Sequence, residues 1–452
     1  MRLLLFGGRF ANGQCVVLRP DNNQLFIMPS ALVFYQYYYP DDVVSAVHFK
    51  ELAEGLADRG WQVTTMPCNR SCRSDHTSYA SHEVHSGVDI RRIWRPAWPQ
   101  EKNWGRLANS IWMICLWSWV SLLRKPDVLI IGTDPIVSLI VAIPWRLFRP
   151  STRIVHWCLD LYPEAAVVDG LLKPGFVLSA LRFLMRSAYR RCNLIADIGT
   201  CMRRRLAAYG SPARTMTLAP WALAESDLPL RADPAQRSAL FGSANLGVMY
   251  SGNFGRAHSF AELLSIARQL HQVDVHFSFS IRGNRADEVR QAVTADDRNI
   301  SFAPFAPKDQ LEARLGAADV HVVSLRPQWA GVVVPSKFFG ALAAGRPVLF
   351  IGDQNSWIAE IINEHNLGWV CTPGRESLVA EQLRPLVDNK TALQTLCQRC
   401  HAVYRKYFAR QVALDSFDLE LRSLLSGKDF RGNDVVDEPR ARDLEKAKAA
   451  DC

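Results

Sequence analysis

GVVVPSKFFGALAAGRPVLFIG, residues 331–352, decides how this chain is read. A short apolar run leads into Pro335, an apolar helix follows, Gly345 stops it, and Pro347–Ile351 has the composition of a buried strand. Proline suits the first helical position, where its missing N–H would have had no partner. Ser336 and Lys337 then fall in the first turn, whose open N–H groups and positive dipole end attract anions. A lysine is disfavoured at that end of a helix. Lys337 makes better sense there if an anion such as a diphosphate shares the site. The helix carries Phe338, Phe339, Ala341, Leu342, Ala343 and Ala344 on nearly all sides, so the pattern predicts burial.

A second turn of related design lies upstream. Leu246–Ser251 is strand-like, Gly252-Asn253-Phe254-Gly255-Arg256-Ala257-His258 follows, and a helix is predicted from Ser259 to Leu270. Glycines at a strand-to-helix turn let the backbone approach a phosphate closely. Asn253 and Arg256 are the side chains expected near a diphosphate, with Arg282, after the strand Val275–Ile281, as a further cation. His258 has two readings, a ligand contact or a histidine capping the helix.

Together these segments resemble the donor-binding half of retaining, family-four glycosyltransferases of the GT-B fold. They are most similar to the bacterial exopolysaccharide and O-antigen members, of WbuB-like or colanic-acid type, through the patterns PSK-aromatic-aromatic-G, LAAGRPV and G-N-x-G. The Asp160-Leu161-Tyr162-Pro163-Glu164 stretch resembles a cleft loop of the same family. The resemblance implies an α/β chain of two Rossmann-like parallel-sheet domains facing a central cleft. It implies transfer of a sugar, with retention, from a nucleotide-sugar donor (a UDP-sugar by family frequency) to a lipid-linked saccharide or polysaccharide acceptor. The setting would be the cytoplasmic face of the inner membrane, in peripheral contact with it. Gly252, Asn253, Gly255, Arg256, Arg282, Pro335, Ser336 and Lys337 would bind the donor, and Asp41, Asp42 and Asp160 would contact the acceptor or act as base. Many members of the broader family carry two glutamates eight positions apart in the 331–352 segment. Val332 and Gly340 stand at those places here, so the usual assignment of a glutamate to the donor sugar does not carry over. The chain contains no Asp-x-Asp motif, which disfavours a metal-dependent GT-A mechanism. No metal and no cofactor is expected, and cationic side chains would take the metal's place.

The totals agree with such a chain. At 452 residues it is long enough for two domains with full cores, and 48% hydrophobic with 21% charged residues is ordinary for a globular protein. The net charge of +9 fits an anionic partner. Zinc-finger spacing and RNA-binding aromatic signatures are both lacking, so nucleic acid is not the expected one. Eleven scattered cysteines suggest reduced thiols. Cys397-Gln-Arg-Cys400-His401 formally matches a haem attachment site, although residues 391–410 read as a polar helix.

In order, residues 1–30 are expected to be a leader without regular structure, and 31–225 the acceptor-side domain. Within it, Ala31–Gln36, a helix from Val43 to Arg59, Gly60 and Trp61–Met66 make a βαβ unit, hence a parallel sheet. The Tyr37–Asp42 loop then belongs at the carboxyl ends of the strands, where ligands gather. Residues 107–123 hold three tryptophans and no charge, at the short limit for a membrane span. They are read either as an interfacial helix or as a buried core helix. A basic amphipathic helix over 174–191 and Arg203–Arg205 add positive charge, on a membrane side or a solvated face. A linker is expected at 226–245, the donor-side domain at 246–400, a returning helix at 401–426 and a disordered tail at 427–452. Two other functions share this architecture: a nucleotide-sugar epimerase and a non-catalytic membrane-bound partner.

Overall fold

Two parallel sheets organise the chain in the computed structural model, which describes residues 8–9, 15–18 and 25–427 apart from 75 and 307–309. The first sheet has the strands β4 (Ser30–Phe34), β5 (Gln62–Thr65), β6 (His82–His85), β7 (Val88–Arg91), β8 (Val128–Ile131), β9 (Arg153–Trp157), β10 (Leu194–Asp197) and β11 (Arg214–Thr217). Their order is β11-β10-β9-β8-β4-β5-β7-β6, parallel except for the β6–β7 hairpin. The second has β12 (Leu246–Asn253), β13 (Val275–Arg282), β14 (Ile300–Phe302), β15 (Val320–Ser324), β16 (Val348–Ile351) and β17 (Gly368–Cys371), ordered β14-β13-β12-β15-β16-β17 and parallel throughout. Every residue of β8, β10, β15 and β16 is buried. Continuous apolar runs of this kind are what a parallel sheet covered by helices on both faces requires.

The strand order fixes where ligands can bind. The first sheet grows from β4 toward β5 in one direction and toward β8 in the other; the second grows from β12 toward β13 and toward β15. Each reversal leaves a crevice at the carboxyl ends of the strands, the place where open α/β sheets bind ligands. The two ends meet: Leu161 N donates to Val332 O at 2.9 Å, and Arg256 reaches Asp169 at 3.0 Å.

Several boundaries differ from the sequence reading. Of the leader, β1 (Gly8–Arg9), β2 (Cys15–Leu18) and β3 (Leu25–Ile27) form a separate antiparallel sheet, and the other residues up to 24 lie outside the described residues. The expected linker contains a helix, Pro234–Phe241. Asp233 accepts from Gln236 N, Pro234 takes the first helical position, and Gly242 closes the helix at φ 60°. The helix over 107–123 starts earlier, at Asn103.

The chain ends in two long helices, Lys390–Tyr407 and Arg410–Ser426. The second returns to the first domain, where Leu414, Phe417 and Leu421 join the core of Leu52, Leu56 and Trp61. Residues 428–452, nearly all of the expected tail, lie outside the described residues. Cys397, Cys400 and His401 are buried on the first of these helices, with His401 Nε2 3.0 Å from the Ser226 carbonyl. Their spacing reflects one helical face packed into the core, and the haem reading is set aside.

Candidate active site

On the donor side the two glycine turns and the lysine converge. Asn253 and Arg282 are register partners at the ends of β12 and β13. Gly252 lies at φ +129° and Gly283 at φ +119°, conformations that side-chain-bearing residues rarely adopt. A Cβ at Gly252 would overlap Lys337 Cε; one at Gly283 would stand 2.6 Å from Asn253 Oδ1. The lysine therefore lies directly over the first turn. Its Nζ donates to Asn253 O at 2.7 Å and to Tyr250 Oη at 2.8 Å, 4.3 Å from the Tyr250 ring centre. Burial pushes this ammonium down to about 7. A diphosphate beside it would restore the charged form.

The helix carrying Lys337 runs Lys337–Ala343, so Pro335 and Ser336 precede it. Ser336 is the capping residue, but its side chain makes no cap hydrogen bond. Pro335 is buried, and its carbonyl accepts from Phe338 N at 3.1 Å.

Two of the expected cations are engaged elsewhere. Arg256 donates to Asp169 of the other domain, and Arg282 stacks on Phe305 with its guanidinium carbon 4.0 Å from the ring centre. Gly255 accepts from His258 N at 3.1 Å, closing the turn. His258 does not cap the following helix, Ala261–Gln269, whose capping residue is Phe260. Its Nδ1 lies 2.8 Å from the Ser324 carbonyl, so that nitrogen carries the proton. Burial, with Lys337 nearby, pushes the ring down to about 4 and keeps it neutral. Two arginines that the sequence reading missed flank it: Arg285 Nη1 and Arg326 Nε both donate to His258 O, at 2.8 and 3.1 Å. With Arg256, Asp169, Asn284 and Trp329 they line an interdomain cavity of about 580 Å³. Their signal was an arginine just beyond the carboxyl end of a parallel strand, after β13 and after β15.

On the side expected to take the acceptor, Asp41 and Asp42 already have partners within the chain. Asp41 is buried, and its Oδ1 accepts from Cys72 N at 3.0 Å, Tyr79 Oη at 2.9 Å and Ser71 Oγ at 3.2 Å. Asp42 pairs with Arg73 at 2.7 Å. Both carboxylates tie Ser71, Cys72, Arg73 and Tyr79 to the Tyr37–Asp42 loop. Asp160 follows β9 at the carboxyl end of the sheet, and burial pushes its carboxyl up to about 6. Asp134, which the sequence reading passed over, follows the adjacent strand β8. Burial, and then the charge of Asp160, raises it to about 7, with Arg95 acting in the opposite direction. Two carboxyls poised near neutrality at the crevice can orient a hydroxyl and exchange its proton.

Comparison with known proteins agrees with this architecture. Residues 45–221 match the Glycosyl transferase 4-like domain and residues 246–389 match Glycosyl transferases group 1. The "Probable glycosyltransferase WbjE" of Pseudomonas aeruginosa is 25% identical over 313 residues, 67% of this chain and 76% of that protein. Among solved structures, Anabaena Alr3699/HepE in complex with UDP superposes with a TM-score of 0.61 at 14% identity, over 88% of this chain and 100% of that one. WaaG, described as a glycosyltransferase involved in lipopolysaccharide biosynthesis, superposes with a TM-score of 0.56 at 15% identity, over 88% and 100%. At such identities the structures speak to the fold, which is GT-B.

Proposed function

We propose that this chain, a GT-B glycosyltransferase made of a glycosyl transferase 4-like domain and a group 1 domain, moves a sugar from a nucleoside diphosphate to a lipid-linked or polysaccharide acceptor in bacterial surface polysaccharide synthesis. The observation that carries the donor assignment is Lys337, whose amine lies over the Gly252 turn against the Asn253 carbonyl. A departing diphosphate needs positive charge in a site with little water. Lys337 provides one cation, and Arg285, Arg326 and a released Arg256 stand around the adjoining cavity. UDP is favoured as the nucleotide because the Anabaena neighbour of the same fold is described in complex with UDP and with UDP-glucose. The reaction is assigned as retaining and metal-independent, with the leaving phosphate oxygen taking the acceptor proton and Asp160, beside Asp134, orienting the hydroxyl.

A lipid-linked acceptor is favoured by one face of the first domain. The helices Asn103–Leu123, Ala142–Phe148 and Phe176–Tyr189 share a core of Trp117, Trp145 and Met185. They leave Trp104, Leu107, Ile111, Trp119, Leu147 and Phe183 exposed, between 53% and 74% accessible. An apolar face this extensive on a single protein marks a binding surface. No helix of the described residues is long and apolar enough to cross a membrane, so the contact proposed is peripheral, on the cytoplasmic side of the inner membrane. An epimerase would have no need of this face.

The test is turnover of a panel of nucleotide sugars with and without a polyprenyl-diphosphate sugar, for the native chain and Lys337→Ala. Transfer that requires the lipid and falls in the variant supports the assignment. Near-normal turnover in Lys337→Ala removes the diphosphate role, and conversion of the donor alone indicates an epimerase.

A further inference from the structure

The amine of Lys337 ends on the hydroxyl of Tyr250, a residue of β12. Tyr250 and Gly252 lie two apart on this strand and face the same way. The lysine side chain crosses the bare backbone of Gly252, where a Cβ would overlap its Cε, and reaches the tyrosine beyond. Tyr250 is 1% exposed. Its ring packs among Phe254, Phe279 and His258, with ring centres 5.2, 6.5 and 6.1 Å away. A phenylalanine would satisfy those contacts equally well. A buried hydroxyl, by contrast, needs polar partners to offset its lost water. Here they are Lys337 Nζ, which donates to it at 2.8 Å, and the Asn253 carbonyl, which accepts from it at 3.4 Å.

A charged lysine has three N–H donors. One goes to Tyr250 Oη at 2.8 Å and one to Asn253 O at 2.7 Å. Among the described residues no group takes the third, and no carboxylate pairs with the amine. Asn253 is exposed and Lys337 half-buried, so the third N–H opens on the crevice. A neutral amine has two N–H groups. With both spent on Tyr250 and Asn253, it would turn a lone pair toward a diphosphate. The Tyr250 hydroxyl bears on which form prevails. As a neutral acceptor it favours the ammonium, against the burial that pushes Lys337 down to about 7. Burial holds the hydroxyl itself far above the ordinary tyrosine range, so it stays protonated. The other titratable or charged groups here are His258, kept neutral at about 4, and Arg285 and Arg326 on its carbonyl.

We propose that Tyr250 is a positioning residue for sugar transfer: its hydroxyl and the Asn253 carbonyl fix two N–H bonds of the Lys337 ammonium and aim the third at the donor diphosphate. The proposal rests on the diphosphate role of Lys337 given above and adds the group that keeps the lysine charged and aimed.

Calorimetric titration with UDP tests it on the full chain, comparing the native chain with Tyr250→Phe, Lys337→Met and the double variant from about pH 5.5 to about pH 8.5. Tyr250→Phe takes an acceptor from the ammonium. The pH above which UDP binding weakens should therefore fall by about one unit, the low end for a hydrogen bond to a charged group. UDP should bind this variant about tenfold more weakly than the native chain at about pH 8, and within about threefold of it at about pH 5.5, where both lysines are charged. The double variant should match Lys337→Met, because the hydroxyl acts through the amine. That comparison strands no buried cation, so it decides the matter even where Tyr250→Phe alone does not fold. A loss of equal size at every pH marks a packing defect and overturns the proposal, as does native affinity at every pH. A double variant weaker than Lys337→Met puts the hydroxyl on the ligand and overturns positioning. In each of these cases, weak UDP binding by Lys337→Met leaves the lysine's own role standing. Native affinity in Lys337→Met removes that role and the tyrosine's with it. GDP replaces UDP where the native chain binds only GDP; binding of neither nucleotide overturns the donor reading and the proposal together.

Discussion

Lys337 and Asp134 carry opposite pH signatures, and both follow from burial. Lys337 falls from 10.5 to about 7 in the folded chain. Between those values the unfolded chain binds the extra proton, so this group makes stability rise with pH across that window and costs most below it. Asp134 rises from 3.8 to about 7, so its contribution is fully present below the lower value and lost as pH climbs through the upper one. Asp134→Asn is therefore expected to raise Tm more at about pH 8 than at about pH 4, and Lys337→Met to raise it more at about pH 6 than at about pH 10. Calorimetry across pH checks both signs. Neither variant should gain activity. Loss of a cation aimed at a leaving diphosphate lowers kcat by about 10² to 10³-fold, the range found for other groups that stabilise transition-state charge. A Lys337→Met enzyme within threefold of native kcat, on the order of 1 kcal/mol or less of barrier, would remove the lysine from the chemistry.

The elements show which parts of the site sequence could reveal. A β-strand ending in glycine is recognisable because only glycine leaves the backbone bare, and the Gly252 turn has its expected neighbour in Lys337. Gly252→Ala combines a forbidden φ with a collision against Lys337 Cε. It is expected to weaken UDP binding at least tenfold while β12 stays paired with β13, and calorimetric titration with UDP measures this. The parallel sheets were legible for a similar reason: strands such as VLII in β8 and VLFI in β16 are apolar at every position, which suits a doubly covered sheet. Other features depended on partners distant in sequence. Asp41 and Asp42 follow an aromatic strand as acceptor contacts would, yet the N–H of Cys72, the hydroxyl of Tyr79 and the guanidinium of Arg73 claim them. Asp134 acquires its high pKa from the burial and neighbours that β8 and β9 supply. The helix Pro234–Phe241 was missed although its signals were local, because Asp233-Pro234 and Gly242 sit in a stretch whose Ala, Asp, Pro and Ser composition resembles a linker.

At the scale of the whole molecule, a few polar contacts bridge the cleft between the domains. Arg256 binds Asp169 across it, and Arg204 binds Glu360 at 3.1 Å. The ring of Trp357 packs so close to Gly199 that a Cβ there would meet it at 2.6 Å. The helix Arg410–Ser426, anchored by Trp61 on Asp418 and by Arg59 on Asp415, also ties the end of the chain back to the first domain. Of them, Arg256–Asp169 is the one whose cation the donor-side reading needs. As long as the pair persists, a diphosphate must compete with a carboxylate for that guanidinium. The competition is modest, because the pair is largely exposed and such pairs are worth about 0.2–1 kcal/mol. Asp169→Asn keeps the shape and removes the competitor, so the donor KM is expected to fall by up to about fivefold with kcat nearly unchanged. Arg256→Gln should raise KM, and combining the two should abolish the benefit of Asp169→Asn, since the carboxylate acts only through the arginine. If Asp169→Asn raises KM instead, the pair works by drawing the domains together over the donor. Arg256 would then belong to closure of the cleft, leaving Lys337, Arg285 and Arg326 to meet the diphosphate.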